Sequence, residues 1–114
     1  MEALGRLQKE TDGRCNYFQA DVCDLDSLRS SFQEIQRRLG PIENIVHTAA
    51  VIQDATVQNV EVESFDRVLR PKVLGAWNLH IISEELCTAL KSFVLLGSIR
   101  SVVVFDYAGC IFMA

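Results

Sequence analysis

The chain predicts an α/β fold built on a parallel, doubly wound sheet, and three observations carry that prediction. Two short apolar runs, Ile42 to Thr48 and Phe93 to Leu96, read as buried strands. A long helical pattern from about Val62 to Leu86 lies between them, which is the crossover a parallel pair needs. An amphipathic helix precedes the first of these strands and is itself preceded by a short β-type run, so strand and helix alternate along the chain.

Taken in order, Ala3 to Lys9 forms the end of a helix, closed by the turn residues Thr11-Asp12-Gly13. Cys15 to Ala20 is the short β-type run, and Asp21-Val22-Cys23-Asp24 leads from it into the amphipathic helix. There Leu25, Leu28, Phe32, Ile35 and Leu39 recur at spacings of three and four, which stacks them on one face as core. Asp24 or Asp26 caps its start, and Gly40-Pro41 ends it behind Arg37 and Arg38, whose charge suits a helix C-terminus. Ile45, Val46 and the flanking alanines make an apolar run that suits a strand covered on both faces. In the long helical region Phe65, Val68, Leu69, Val73, Trp77, Leu79 and Ile82 are the apolar positions, and Pro71 marks a kink or a break between two helices. Trp77 is expected at the helix–sheet interface. About three strands with crossover helices result.

Composition narrows the function. With 114 residues, 49% hydrophobic and 23% charged, the chain is one small soluble domain. A net charge of −4 gives no footprint for nucleic acid or for an anionic membrane. The four cysteines, Cys15, Cys23, Cys87 and Cys110, form no C-x-x-C pair and have no histidine at zinc spacing, so no metal site is expected. They read as reduced, mostly buried thiols of a cytoplasmic protein, since Met1 to Gly5 is followed by too polar a stretch for a signal peptide. The apolar run Ser101 to Phe105 is too short to span a bilayer.

Sheets of this kind hold their ligand at the carboxyl ends of the strands. That rule selects Asp21-Val22, Thr48-Ala49-Ala50 and Gly97-Ser98, with Lys72 on the intervening helix able to reach the same crevice. Each has a plainer reading. Lys72 on a helix is by default a solvated charge, Ser98 is placed to cap a following helix, and Asp21 is placed to act as a turn residue or part of the helix cap. His47 and His80 read as structural.

These residues carry a resemblance. The stretches from Gln19 to Leu28, from Leu39 to Asp54, from Ser64 to His80 (with Arg70-Pro71-Lys72-Val73-Leu74-Gly75-Ala76-Trp77-Asn78-Leu79-His80 at its end) and from Phe93 to Ile99 resemble the second half of a ketoreductase domain of polyketide synthases. That subgroup lies within the short-chain dehydrogenase/reductase superfamily, and its mark is a lysine in the Pro-Lys-Val helix. The resemblance runs over roughly residues 15–101 of a single domain spanning 1–114, with 102–114 a divergent tail. It implies a truncated Rossmann-like doubly wound parallel sheet and NADPH-dependent reduction of a β-keto group on an acyl chain held by an acyl carrier protein. It further implies that Asp21 and Val22 contact the adenine and that Ala49 and Ala50 pack under the cofactor ribose. Lys72 would bind the nicotinamide ribose and lower the pKa of a catalytic tyrosine, and Ser98 would hydrogen-bond the substrate carbonyl.

The chain also departs from the family pattern. It contains no Gly-x-Gly-x-x-Gly phosphate loop, an element that the resemblance places before Met1. Ala50 stands where the family's turn has glycine. Beyond Ser101 the match dissolves. Tyr107 is the tail's candidate for the tyrosine of Tyr-x-x-x-Asn, four positions early and with Ile111 in the asparagine's place, while Val102 to Phe105 reads as strand. These departures predict a partial domain that is inactive by itself. The alternative is a non-catalytic pseudo-domain that acts by association with another chain, and an exposed sheet edge would invite self-association.

Overall fold

A computed structural model describes residues 2–53, 55–97 and 110–111. Helix α1 (Glu2–Glu10) stops at the expected turn: Asp12 and Gly13 take φ of 50° and 75°, and the Gly13 amide donates to the Gln8 carbonyl at 2.8 Å. Glycine tolerates that left-handed backbone, which lets the chain reverse without strain there.

Residues 14–20 do not form the expected strand. A strand is held by a partner's amides and carbonyls, and no described strand lies beside this segment. Side chains hold it instead. The Thr11 hydroxyl accepts the Cys15 amide at 3.2 Å, and the Ser31 hydroxyl donates to the Gln19 carbonyl at 3.3 Å.

Helix α2 (Leu25–Leu39) begins at Asp24, whose Oδ1 accepts the amides of Asp26 and Ser27, each at 3.0 Å. Of the two expected capping aspartates, Asp24 does the work. Gly40, at φ 89°, closes the other end and donates to the Gln36 carbonyl. Along the apolar stripe Leu28 and Phe32 are buried and Leu25 and Ile35 half-buried, whereas Leu39 is 55% exposed because the helix has by then run past its partner. Arg37 and Arg38 both clasp Glu34 on the outer face.

Strand β1 (Asn44–His47) follows, then the two-residue strand β2 (Ala55–Thr56) and a 3-10 turn at Val57–Asn59. Helix α3 (Val62–Leu86) is one continuous helix of 25 residues with Pro71 inside it, so the proline does not divide it. The carbonyl that loses its donor there belongs to Arg67, an exposed residue where water can take over. Strand β3 (Ser92–Leu95) then pairs with β1 in parallel, Ile45 opposite Phe93 and His47 opposite Leu95. Strand β4 (Cys110–Ile111) pairs antiparallel with β2. The parallel sheet thus has two strands among the described residues.

The core forms where α2, α3 and the sheet meet. Leu28, Phe32, Ile45, Leu79, Ile82 and Cys87 are buried together, with Val22, Leu86 and Phe93 packed against them. Ile82 is fully buried, which alone favours the fold by about 1.5–3 kcal/mol. Gln36 adds a polar tie, donating its amide to the Leu86 carbonyl at 2.8 Å. Both helices lie on the Ile45 face of the sheet. On the opposite face Val46 is 57% and Val94 41% exposed, so the expectation of a strand covered on both sides holds for one side only. Trp77 is likewise not at the interface: it is 60% exposed, its ring 5.5 Å from that of His80, because α3 turns Gly75, Asn78 and Leu79 inward instead. No helix among the described residues is long and apolar enough to cross a membrane.

Candidate functional site

Helix α3 passes over the carboxyl ends of the strands and is bonded to each segment that ends there. At β1, His47 is buried and its Nε2 lies 2.9 Å from the Pro71 carbonyl. A carbonyl only accepts, so Nε2 carries the proton and donates it. At β3, the Lys72 ammonium donates to the Leu96 carbonyl at 2.8 Å. At the turn before α2, the buried Asn78 amide donates to the Val22 carbonyl at 3.0 Å. Gly75 lets the helix come this close, since a Cβ there would lie 2.9 Å from the Val22 Cγ2 methyl and 3.5 Å from the His47 ring.

Asp21 is exposed, and its Oδ1 accepts the Cys23 amide at 2.8 Å in a short turn. Burial pushes the Cys23 thiol up, with the Asp21 carboxylate adding to the effect, so the sulfur stays protonated and is a poor nucleophile. Asp21 opens onto a cavity of about 540 Å³ that Val51, Glu63, Asp66, Arg67, Arg70 and Pro71 also line. A second cleft, of about 520 Å³, runs along β1 and is bordered by Val22, Phe32, Ile45 and Ala49.

The site residues read from the sequence fare differently. Asp21, Val22 and Lys72 are brought to one edge of the sheet, with half-buried Ala49 after β1. Ala50 is exposed and borders neither cavity. Ser98, Tyr107 and the strand expected at Val102 to Phe105 lie outside the described residues. His47 is structural, as expected, whereas the tethering by Gly75 and Asn78 is missed in the sequence. Their signals were present: a glycine inside a helix, which costs about 1 kcal/mol against alanine, and an asparagine among apolar neighbours. Of the thiols, Cys87 is buried and Cys15 and Cys23 half-buried, all three free, and no cluster of metal-ligating side chains occurs among the described residues.

A nicotinamide dinucleotide fits this edge in part. The cavity beside Asp21 has four carboxylates, Asp24 among them, against two arginines. Such a wall suits the amino group of an adenine and repels a pyrophosphate. The sequence supplies no glycine-rich loop for the phosphates, and Lys72 is a donor suited to a ribose hydroxyl.

The fold and this edge define the class of protein. A short-chain dehydrogenase/reductase variant from Serratia marcescens superposes with a TM-score of 0.79 over 95% of this chain and 44% of its own, at 18% identity. That likeness shows the Rossmann-type fold. The KR domain family model matches residues 2–108, and the chain belongs to that family, whose members use a nicotinamide cofactor. An N-terminal ketoreductase from the macrolactin assembly line superposes with a TM-score of 0.77 at 28% identity, over 89% of this chain and 20% of its own. A polyketide synthase of Dictyostelium discoideum is 37% identical over 87 residues, 76% of this chain. A low-reducing polyketide synthase of Aspergillus calidoustus is 39% identical over 83 residues, 73% of this chain. The chain spans 3% of the length of each of these two relatives.

Proposed function

We propose that residues 1–114 are one partial ketoreductase domain, derived from an activity that reduces the β-keto group of an acyl chain on an acyl carrier protein with NADPH, in the cytoplasm. The observation that carries this reading is the position of Lys72: its ammonium reaches the carbonyl of Leu96, two residues before Ser98, from the helix that also holds Val22. When bound, NADPH supplies the hydride to the ketone carbon. Asp21 and Val22 would receive the adenine, Ala49 and Ala50 would pack at the ribose, and Lys72 would hold the nicotinamide ribose. Ser98 orients the substrate carbonyl. Tyr107 is the residue available to pass its Oη proton to the developing alkoxide, its acidity raised by the Lys72 charge.

The sequence contains no Gly-x-Gly-x-x-Gly loop and no Tyr-x-x-x-Asn. The same reading therefore has the 114 residues alone bind NADPH weakly and turn over no substrate. The edge of β1 away from β3, which has no strand partner among the described residues and is bordered by the apolar cleft, supports self-association by strand pairing. The test is an NMR titration of NADPH into the chain beside a turnover assay on a β-ketoacyl thioester. Shifts confined to Asp21, Val22, Ala49, Ala50 and the Lys72 region, without turnover, are expected. The absence of any shift at these residues would overturn the assignment, and micromolar binding with turnover would overturn the inactive fragment.

A further inference from the structure

We propose that Gly75 and Asn78 are positioning residues that fix the Asp21-Val22 segment relative to Lys72, and so set the spacing between the adenine and the ribose contacts of the cofactor. The inference rests on the reading of Asp21, Val22 and Lys72 as those contacts.

The segment needs such a device, because residues 14–20 have no ladder partner among the described strands. Val22 is instead fastened to α3 twice. Its carbonyl accepts the Asn78 amide at 3.0 Å, and its side chain rests on Gly75, where an added Cβ would meet Cγ2 at 2.9 Å and Cβ at 3.2 Å. Asn78 is 5% exposed, and a carboxamide that buried is tolerable only when bonded. Position 75 gives up helix propensity, and the return is this contact. Lys72, Gly75 and Asn78 stand at intervals of three, which places them along one side of α3. Asp21 moves with Val22, since its carboxylate is locked onto the Cys23 amide. A shift of Val22 off the helix therefore carries the adenine contact away from the lysine.

The test uses the 114-residue chain, labelled for NMR, with 2′,5′-ADP as the probe for the adenine end and NADPH for both ends. In the free chain Gly75→Ala is expected to shift the amides of Asp21, Val22 and Cys23 while signals around Ile82 stay in place. Affinity for NADPH should fall about tenfold and that for 2′,5′-ADP far less, because only the longer ligand spans both contacts. A merely stabilising role would weaken both ligands alike. Should Gly75→Ala not fold, Asn78→Asp, which sets a carboxylate against the Val22 carbonyl, is expected to give the same pattern. Unchanged segment amides, or equal losses for the two ligands, would sink the positioning role and leave the cofactor reading standing. If neither ligand perturbs the wild-type chain, the cofactor reading itself falls, and the positioning of its contacts with it.

Discussion

His47 donates its Nε2–H to the carbonyl of Pro71 at 2.9 Å, and that carbonyl belongs to the peptide leading into Lys72. The end of β1 is thereby tied to the backbone that carries the lysine. His47 is 4% exposed, so the bond is shielded from competing water. His47→Ala should cost about 2–4 kcal/mol in urea unfolding, for lost packing together with the bond. His47→Phe keeps most of the volume and should cost about 1–2 kcal/mol. Wild-type stability in His47→Phe would show that the bond does not secure the helix.

The parts of this arrangement that were legible in the sequence are those set by local physics. The stripe from Leu25 to Leu39, the Asp24 cap and the Gly40 stop each follow from residues within a few positions of one another. The strand expected at Cys15 to Ala20 failed because strand formation depends on a partner elsewhere, which no local pattern reports. Trp77 was misplaced for a related reason. Helical spacing allows both the row through Trp77 and the row through Gly75 and Asn78 to face inward, and the close approach of Val22 decides for the second. Lys72 was found through its neighbours' register, whereas the roles of His47 and Asn78 needed the carbonyls they bond.

Glu34 makes a pH prediction with a definite sign. Hydrogen bonds from Arg37, opposed in part by desolvation and joined by Arg38, lower its pKa from 4.5 to about 2. A carboxyl depressed on folding stabilises the fold above its unfolded value, and that contribution is lost as pH falls through the folded one. The clasp should therefore be fully present above pH 4.5 and gone near pH 2. Glu34→Gln is expected to narrow the stability difference between neutral and acid conditions across that window. The cluster is at the surface, so added salt should shrink the effect. An NMR titration that places the Glu34 carboxyl at its ordinary value would contradict the clasp.

Trp77 stands on the outer side of α3, so its removal should be nearly silent for stability. Trp77→Ala is expected to change unfolding free energy by no more than about 0.5 kcal/mol, since it exchanges an exposed ring for the best helix former. In the wild-type chain its fluorescence should respond freely to acrylamide. A shielded, blue-shifted emission would mean that another surface covers this side of the helix in solution.

Under the proposed cofactor assignment, Lys72 separates the two ends of the ligand. Its ammonium bonds a carbonyl at the exposed end of β3, so Lys72→Met should cost only about 0.5–1.5 kcal/mol of stability and leave the fold intact. The proposed adenine contacts, Asp21 and Val22, are held by Asn78 and not by Lys72, and do not use the lysine charge. The variant is therefore expected to keep the wild-type response to 2′,5′-ADP and to lose the additional response that NADPH produces beyond it. Lys72→Arg keeps a positive donor but replaces a compact ammonium by a planar fork, so it should restore the charge without the geometry and recover little. If Lys72→Met bound NADPH as the wild type does, the lysine would be a solvated surface charge whose contact with Leu96 is incidental to the cofactor. If both ligands weakened together, the lysine would be holding the edge of the sheet in place instead of touching the ribose.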